Sequence, residues 1–164
     1  MEIEHKYLLS SEQVYLLEKY PSQEIEQCYI CADPVIRLRK ITNSAREIDR
    51  YILTVKSSGS KIREEFEMEI DNEQYERLVL KTEGNVIRKT RYTIPLSDGY
   101  TAEADVYHGY LSGLLTVEVE FADESDMNSF VPPEWFGRDV SEDNEYKNVA
   151  LAMRVGVRSQ NTYF

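Results

Sequence analysis

The chain has 164 residues, 41% apolar and 30% charged, enough for one domain with its own core and somewhat more polar than a typical globular protein. Its 30 acids against 19 bases leave a formal net charge of −11, the wrong sign for holding a nucleic-acid backbone on an outer surface; a single small anion in a local basic cleft stays compatible. No apolar stretch approaches the roughly 20 residues that cross a bilayer, and acids at Glu2 and Glu4 open the chain, so no leader, no membrane partner and a soluble, cytoplasmic protein are expected.

Hydrophobicity alternates every two residues along most of the chain. The first predicted strand covers Glu2–Leu9. Ser10–Tyr20 follows as a helix, with Ser10 and Gln13 as a capping box and Pro21 as its stop. Strands Glu24–Ala32 and Val35–Thr42 flank the turn Asp33-Pro34. Glu47–Lys56 and Lys61–Ile70 flank Ser57-Ser58-Gly59-Ser60, which reads as a hairpin connection. Asp71 is the expected cap of a helix over Asn72–Leu80. Gly84–Pro95 and Tyr100–Tyr107 are joined by Ser97-Asp98-Gly99, and Leu114–Phe121 is the last strand. From Glu124 to Val157 the pattern reads as short helices around Pro132-Pro133-Glu134-Trp135, with Trp135 as a core anchor. Residues 1–157 are expected to form one domain and 158–164 a loose tail.

Cys28 and Cys31 form a C-x-x-C spacing inside a predicted strand, where positions three apart point to opposite faces. With no second ligand pair, they read as two reduced thiols rather than a zinc or redox site.

The ionisable residues fall on one face of nearly every strand. Glu2, Glu4 and Lys6 share a face of the first, Arg37 and Arg39 of the third, and Lys56 joins Thr54 on the fourth. Arg63, Glu65, Glu67 and Glu69 alternate with Phe66, Met68 and Ile70. Lys89 and Arg91 share a face, as do Glu103 and Asp105, and Glu118 and Glu120. For any one strand, an ordinary solvated face is the simpler explanation. Repetition over seven strands, with like signs in blocks, favours an α+β fold built on an eight-stranded antiparallel closed barrel. Its lumen is charged and its helices pack outside. Burying so many charges dry is prohibitive, so the lumen must be wet or filled by an ion-rich ligand. Clustered carboxylates suit hard divalent cations, and clustered Arg and Lys suit phosphate oxygens. Both together suit a polyphosphate bridged to metal.

These residues resemble the CYTH-domain family, the triphosphate tunnel metalloenzymes. Glu2-Ile3-Glu4-His5-Lys6 is similar to its E-x-E-x-K signature. In order follow Val35-Ile36-Arg37-Leu38-Arg39, Leu53-Thr54-Val55-Lys56, Arg63-Glu64-Glu65-Phe66-Glu67, Ile87-Arg88-Lys89-Thr90-Arg91-Tyr92, Ala102-Glu103-Ala104-Asp105-Val106, Val117-Glu118-Val119-Glu120 and Pro132-Pro133-Glu134-Trp135-Phe136-Gly137. The resemblance implies a triphosphate-binding tunnel with one or two ions of Mg²⁺ or Mn²⁺. Glu2, Glu4, Glu118 and Glu120 would be metal ligands with Asp105 nearby, and Glu65 and Glu67 further acidic wall residues that reach the metal directly or through water. Lys6, Arg37, Arg39, Lys56, Lys89 and Arg91 would cradle phosphate, with Arg63 as an additional member.

Catalysis would rest on Glu2, Glu4 and Lys6, with water attacking the terminal phosphorus. His5 stands where the family commonly has Arg or Lys, and by parity faces away from the lumen. Tyr146-Lys147-Asn148-Val149-Ala150-Leu151-Ala152 resembles the family's closing helix; Lys147 and Arg154 read as solvated surface, with a place at a tunnel mouth as the alternative. The implied partner is a small-molecule triphosphate, foremost inorganic tripolyphosphate, with monomer and homodimer both open. Class IV adenylate cyclase and thiamine triphosphatase are alternatives on the same scaffold. A non-catalytic polyphosphate-binding module is disfavoured by the presence of Glu2, Glu4, Glu118 and Glu120.

Overall fold

The computed structural model describes residues 1–43, 49–59 and 61–154. The expected tail at 158–164 and the first residues of the expected fourth strand lie outside them. The strands are β1 (Glu2–Leu8), β2 (Ser22–Cys31), β3 (Val35–Asn43), β4 (Arg50–Lys56), β5 (Ile62–Arg63), β6 (Glu65–Ile70), β7 (Glu83–Pro95), β8 (Thr101–Tyr107) and β9 (Leu115–Glu120). They form a single antiparallel sheet in the order β5-β1-β9-β8-β7-β2-β3-β4-β6.

Nine strands appear among the described residues where eight are expected, because the predicted strand over Lys61–Ile70 is divided at Glu64. Ile62 and Arg63 pair with β1, whereas Glu65–Ile70 pairs with β4. The two outer strands of the sheet are therefore one stretch of chain joined through a single residue. That junction brings the sheet round into a nearly closed barrel and leaves little free edge. β1 is further covered beyond β5 by the segment around Arg138–Val140, through Leu8 N–H to Arg138 O (2.9 Å) and Val140 N–H to Lys6 O (2.8 Å). Gly137 allows this approach, since a Cβ there would meet Leu8 O at 2.6 Å.

The apolar faces point outward and are covered. Ile3, Ala102, Ala104, Val117 and Val119 meet Met127 and Phe136, carried by α3 (Glu124–Ser129) and the segment after it. Trp135, expected as the anchor, is half-buried at the rim of this cluster, and its neighbour Phe136 takes the buried position. On the opposite side α2 (Asn72–Val79) sets Tyr75 on Cys28, Leu38 and Ile70. Asp71 caps it as the sequence suggests, and Gln74 completes a capping box, with Gln74 N–H donating to Asp71 Oδ1 at 2.8 Å and Asp71 N–H to Gln74 Oε1 at 3.0 Å.

The predicted first helix is much reduced. A 3₁₀ turn at Ser11–Gln13 leads into α1 (Val14–Leu17), and Ser10 makes no side-chain capping bond. Leu17 alone reaches full burial there, so one turn suffices before Pro21 redirects the chain. Cys28 lies buried under α2 and Cys31 is half-buried; both are free thiols.

The lumen is not charged from end to end. Ile25, Ile41 and Ile52 carry the same parity as Gln27, Arg39 and Thr54, and they form an apolar cluster among themselves. Near the other end Tyr29, Ile87 and Tyr107 pack with Leu151 and Ala152 of α4 (Asn148–Met153). The charged zone lies between these two apolar ends. Among the described residues no helix is long and apolar enough to cross a membrane.

Candidate active site in the tunnel

A cavity of about 330 Å³ occupies that zone. Its wall gathers Glu2, Glu4 and Lys6 of β1, Arg37 and Arg39 of β3, Lys56 of β4, Arg63 of β5, Glu65 and Glu67 of β6, Arg91 of β7, Glu103 of β8 and Glu118 and Glu120 of β9. Every site residue expected from the sequence lines it except Lys89 and Asp105. The register explains how the signs segregate. Glu4 lies opposite Glu120, and Lys6 opposite Glu118, which in turn opposes Glu103. The acidic wall is thus β1–β9–β8, and the arginines come chiefly from β3 and β7.

Part of the charge is already paired. Lys56 Nζ reaches both Glu2 oxygens at 2.9 and 3.0 Å and Glu65 at 3.5 Å. Arg63 lies 3.1 Å from Glu2 and 3.7 Å from Glu4. Lys6 is 3.7 Å from Glu118 and donates to Tyr146 O at 2.6 Å. Arg37 and Arg39 differ: among the described residues neither is in an ion pair. Arg37 donates to Thr54 at 3.1 Å and has a buried Nε without a partner. Arg39 donates only to the amide oxygen of Gln27. Burial, with Arg37 and Arg91 alongside, lowers the Arg39 guanidinium to about 9. Cationic crowding of this kind is relieved by a bound anion.

The opposite wall has the opposite deficit. Burial, with the charges of Glu118 and Glu2, raises the Glu4 carboxyl well above the ordinary range. Burial, with Glu2 and Glu103, also raises Glu120. Burial opposes ionisation of Glu2, but a hydrogen bond with Glu65, together with Lys56 and Arg63, overcomes it and holds Glu2 at about 2. Glu65 is raised by burial, by that same bond and by the charge of Glu2. Glu118 is buried too, yet Lys6 and Arg91 bring it below the usual value.

Among the described residues no three of these groups already converge on a common point suited to a metal. The donor chemistry nevertheless fits a hard divalent cation. Glu4 and Glu120 are carboxylates crowded by like charge, and a cation between them and Glu118 would relieve the crowding.

Lys89 and Asp105 sit behind the wall. Lys89 is fully buried with its Nζ 2.7 Å from Asp105. Asp105 also accepts a bidentate pair from Arg91, at 2.8 Å from Nε and 2.9 Å from Nη2. Burial works against the Asp105 charge, but Arg91 and Lys89 hold its carboxyl well below the usual range; burial pushes Lys89 far down. Parity gave their face correctly, and the tunnel depth separates them from the cavity. Glu69 has lumen parity too, but it is exposed and pairs with Arg50 at 3.0 Å. His5 faces away, as parity requires, and lies 3.2 Å from Asp139.

Several cavity residues have no counterpart in the sequence reading. Tyr29 comes from β2. Ser141, Tyr146, Lys147, Asn148 and Val149 come from the tail and close one end. Lys147, read as solvated surface, instead lines the cavity and donates to Gly59 O at 2.7 Å. For Tyr29, its parity with Gln27 and Ile25 was an available signal. For Lys147 the closing-helix resemblance leaves a tunnel mouth open as the alternative, but whether it reaches the cavity depends on where the tail docks. There Gly84 gives room: a Cβ would meet Ala152 O at 2.5 Å.

A barrel that sets a carboxylate wall against an arginine wall around a small cavity is, as a class, a polyanion-binding tunnel. No protein-family model matches the chain. It is 49% identical over 105 residues to an inorganic triphosphatase of Nitrosomonas europaea, covering 64% of this chain and 70% of that protein. It is 34% identical over 152 residues to an inorganic triphosphatase of Acetivibrio thermocellus, covering 92% of each. A crystal structure of an inorganic triphosphatase superposes with a TM-score of 0.64 at 37% identity, over 94% of this chain and 96% of that one. The chain belongs to the inorganic triphosphatase family of triphosphate tunnel, or CYTH, proteins.

Proposed function

We propose that the chain is a metal-dependent triphosphatase that hydrolyses inorganic tripolyphosphate at its terminal phosphorus. The observation that carries this reading is a pair of opposed imbalances within one cavity: among the described residues Arg37 and Arg39 are in no ion pair, while Glu4, with Arg63 at 3.7 Å, and Glu120 remain crowded by like charge. A polyphosphate with a divalent metal relieves both at once. A cavity of about 330 Å³ is at the small end for ligand sites, and Tyr146–Val149 at one end favours a bare phosphate chain over one bearing a nucleoside.

In this reading Arg37, Arg39, Arg91 and Lys56 cradle the phosphoryl oxygens, with Lys6 and Arg63 between the cradle and the acids, and Lys147 adds a cation from the tail. Glu2, Glu4, Glu118 and Glu120 hold Mg²⁺ or Mn²⁺, with Glu65 and Glu67 on the flank. The metal, when bound, neutralises phosphoryl charge and makes water a better nucleophile. The chain's own residues supply alignment and fixed charge. The arginine N–H groups that the wall leaves free hold the phosphates in one orientation, so that an attacking water and the leaving pyrophosphate can lie in line. Fixed guanidinium charge stabilises the electrons that move to the leaving oxygen. Asp105 takes no part as a ligand; it holds Arg91. Lys89 supports that pair and leaves the cradle.

A panel of tripolyphosphate, ATP and thiamine triphosphate with Mg²⁺ or Mn²⁺, scored for phosphate and cyclic AMP, tests this. Tripolyphosphate should be cleaved fastest and no cyclic nucleotide should form. Cyclic AMP production, or preference for thiamine triphosphate, would overturn the substrate assignment.

A further inference from the structure

Gln27 is fully buried on β2, and its amide joins two residues of the cavity wall. Its Oε1 accepts from Arg39 Nε at 3.2 Å and Nη2 at 2.9 Å, and its Nε2 donates to the Tyr29 hydroxyl at 2.9 Å. The amide orientation is forced. A guanidinium has donors only, so the oxygen must face Arg39 and the nitrogen must face Tyr29. The Tyr29 oxygen is therefore already accepting, and its own proton is free to be donated on the cavity side. Arg91 shows what the alternative looks like, with the same fork closed on the carboxylate of Asp105.

We propose that Gln27 is a neutral positioning residue that fixes the Arg39 fork without cancelling its charge, and that Tyr29 is an uncharged donor to a phosphoryl oxygen of the substrate. This rests on the reading of the cavity as the tripolyphosphate site. A carboxylate at position 27 would hold the fork equally well, but it would place a negative charge behind the cradle and offset the attraction for the substrate. An amide keeps the geometry and the charge. Burial raises the Tyr29 phenol, so the donor keeps its proton at neutral pH. The two arginines then have distinct tasks: Arg91 is largely neutralised at the wall, and Arg39 presents its full charge to the phosphates.

The test is steady-state kinetics on tripolyphosphate with thermal melting, for Gln27→Glu, Gln27→Leu, Tyr29→Phe and Arg39→Ala. Gln27→Glu is nearly isosteric and should melt no lower than the parent, yet raise KM by about tenfold or more, since charge-assisted contacts are worth that much. Gln27→Leu should raise KM less, because Arg39 keeps its charge and loses only its aim. Tyr29→Phe should raise KM several-fold with kcat little changed. A parental KM in Gln27→Glu, equal effects of Glu and Leu, or losses that follow the melting temperature would overturn the role of Gln27. A parental KM in Tyr29→Phe would overturn the donor role. Arg39→Ala separates the two levels: a parental KM there removes the cradle reading and this inference with it. Impairment there with an unaffected Gln27→Glu removes the inference alone.

Discussion

Asp105 is where the structure departs most from a ligand role, and Asp105→Asn turns that difference into a measurement. The carboxylate is 1% exposed, accepts the Arg91 fork and lies 2.7 Å from Lys89. Replacing it by an isosteric amide keeps the volume but removes the main counter-charge of the buried guanidinium, leaving Glu103 at 3.3 Å from Nη1. Breaking a buried pair in this way costs about 3–5 kcal/mol, and the amide oxygen, which still accepts one bond, favours the lower end. For a chain of this size that is a fall in melting temperature of roughly 6–12 °C. The sign with pH follows from the depressed carboxyl. The stability it contributes is present above the unfolded value of about 4 and is lost as pH falls through the lower folded value. The difference between parent and variant should therefore be full at pH 7 and shrink only in strong acid. Calorimetry of the metal-free protein measures it. A variant that melts within a degree or two of the parent, and instead needs more metal for activity, would refute the reasoning and return Asp105 to the ligand set.

Glu4→Gln should abolish metal-dependent phosphate release; it should also raise the melting temperature of the metal-free protein, because the amide removes the repulsion from Glu118 and Glu2. Turnover kept at the parental level would contradict its role. Lys147→Ala should raise KM for tripolyphosphate several-fold while leaving the melting temperature nearly unchanged; an unaltered KM would return Lys147 to the solvated surface. Asp71→Ala should cost about 1 kcal/mol by urea unfolding through loss of the α2 cap, with no change in kcat; a silent variant would mean that the cap does not stabilise the fold.

Strand positions were readable because period-two alternation is a local property, and most observed strands begin and end within two residues of the expected ones. The cavity-facing set followed from the same parity, which is why Glu2, Glu4, Arg37, Arg39 and Glu118 meet around one volume. Parity fixes a face but not a depth. Lys89 and Asp105 share the face of Arg91 and Glu103 yet lie behind the wall, and Ile25, Ile41 and Ile52 share it while packing with one another. The division at Glu64 carries no glycine or proline to announce it; barrel closure imposes it. Ser10 resembles a cap, but the helix after it is too short for the box to form. Lys147 entered the cavity through the docking of α4 beside Gly84, a tertiary event that no local pattern decides. Tyr29 and Gln27 carry no charge and were passed over for that reason, although their alternation with Ile25 marks the same face.

The central claim is that one cavity joins a phosphate cradle to a carboxylate metal site for cleavage of a bare triphosphate. Phosphorus NMR of tripolyphosphate mixed with the protein, with Mg²⁺ or Mn²⁺ and again after chelation, tests it most directly. Orthophosphate and pyrophosphate are expected in equal amounts, only while metal is present, and none from Glu4→Gln. Intact tripolyphosphate in the presence of both metals, or cleavage undiminished by the chelator, would contradict it.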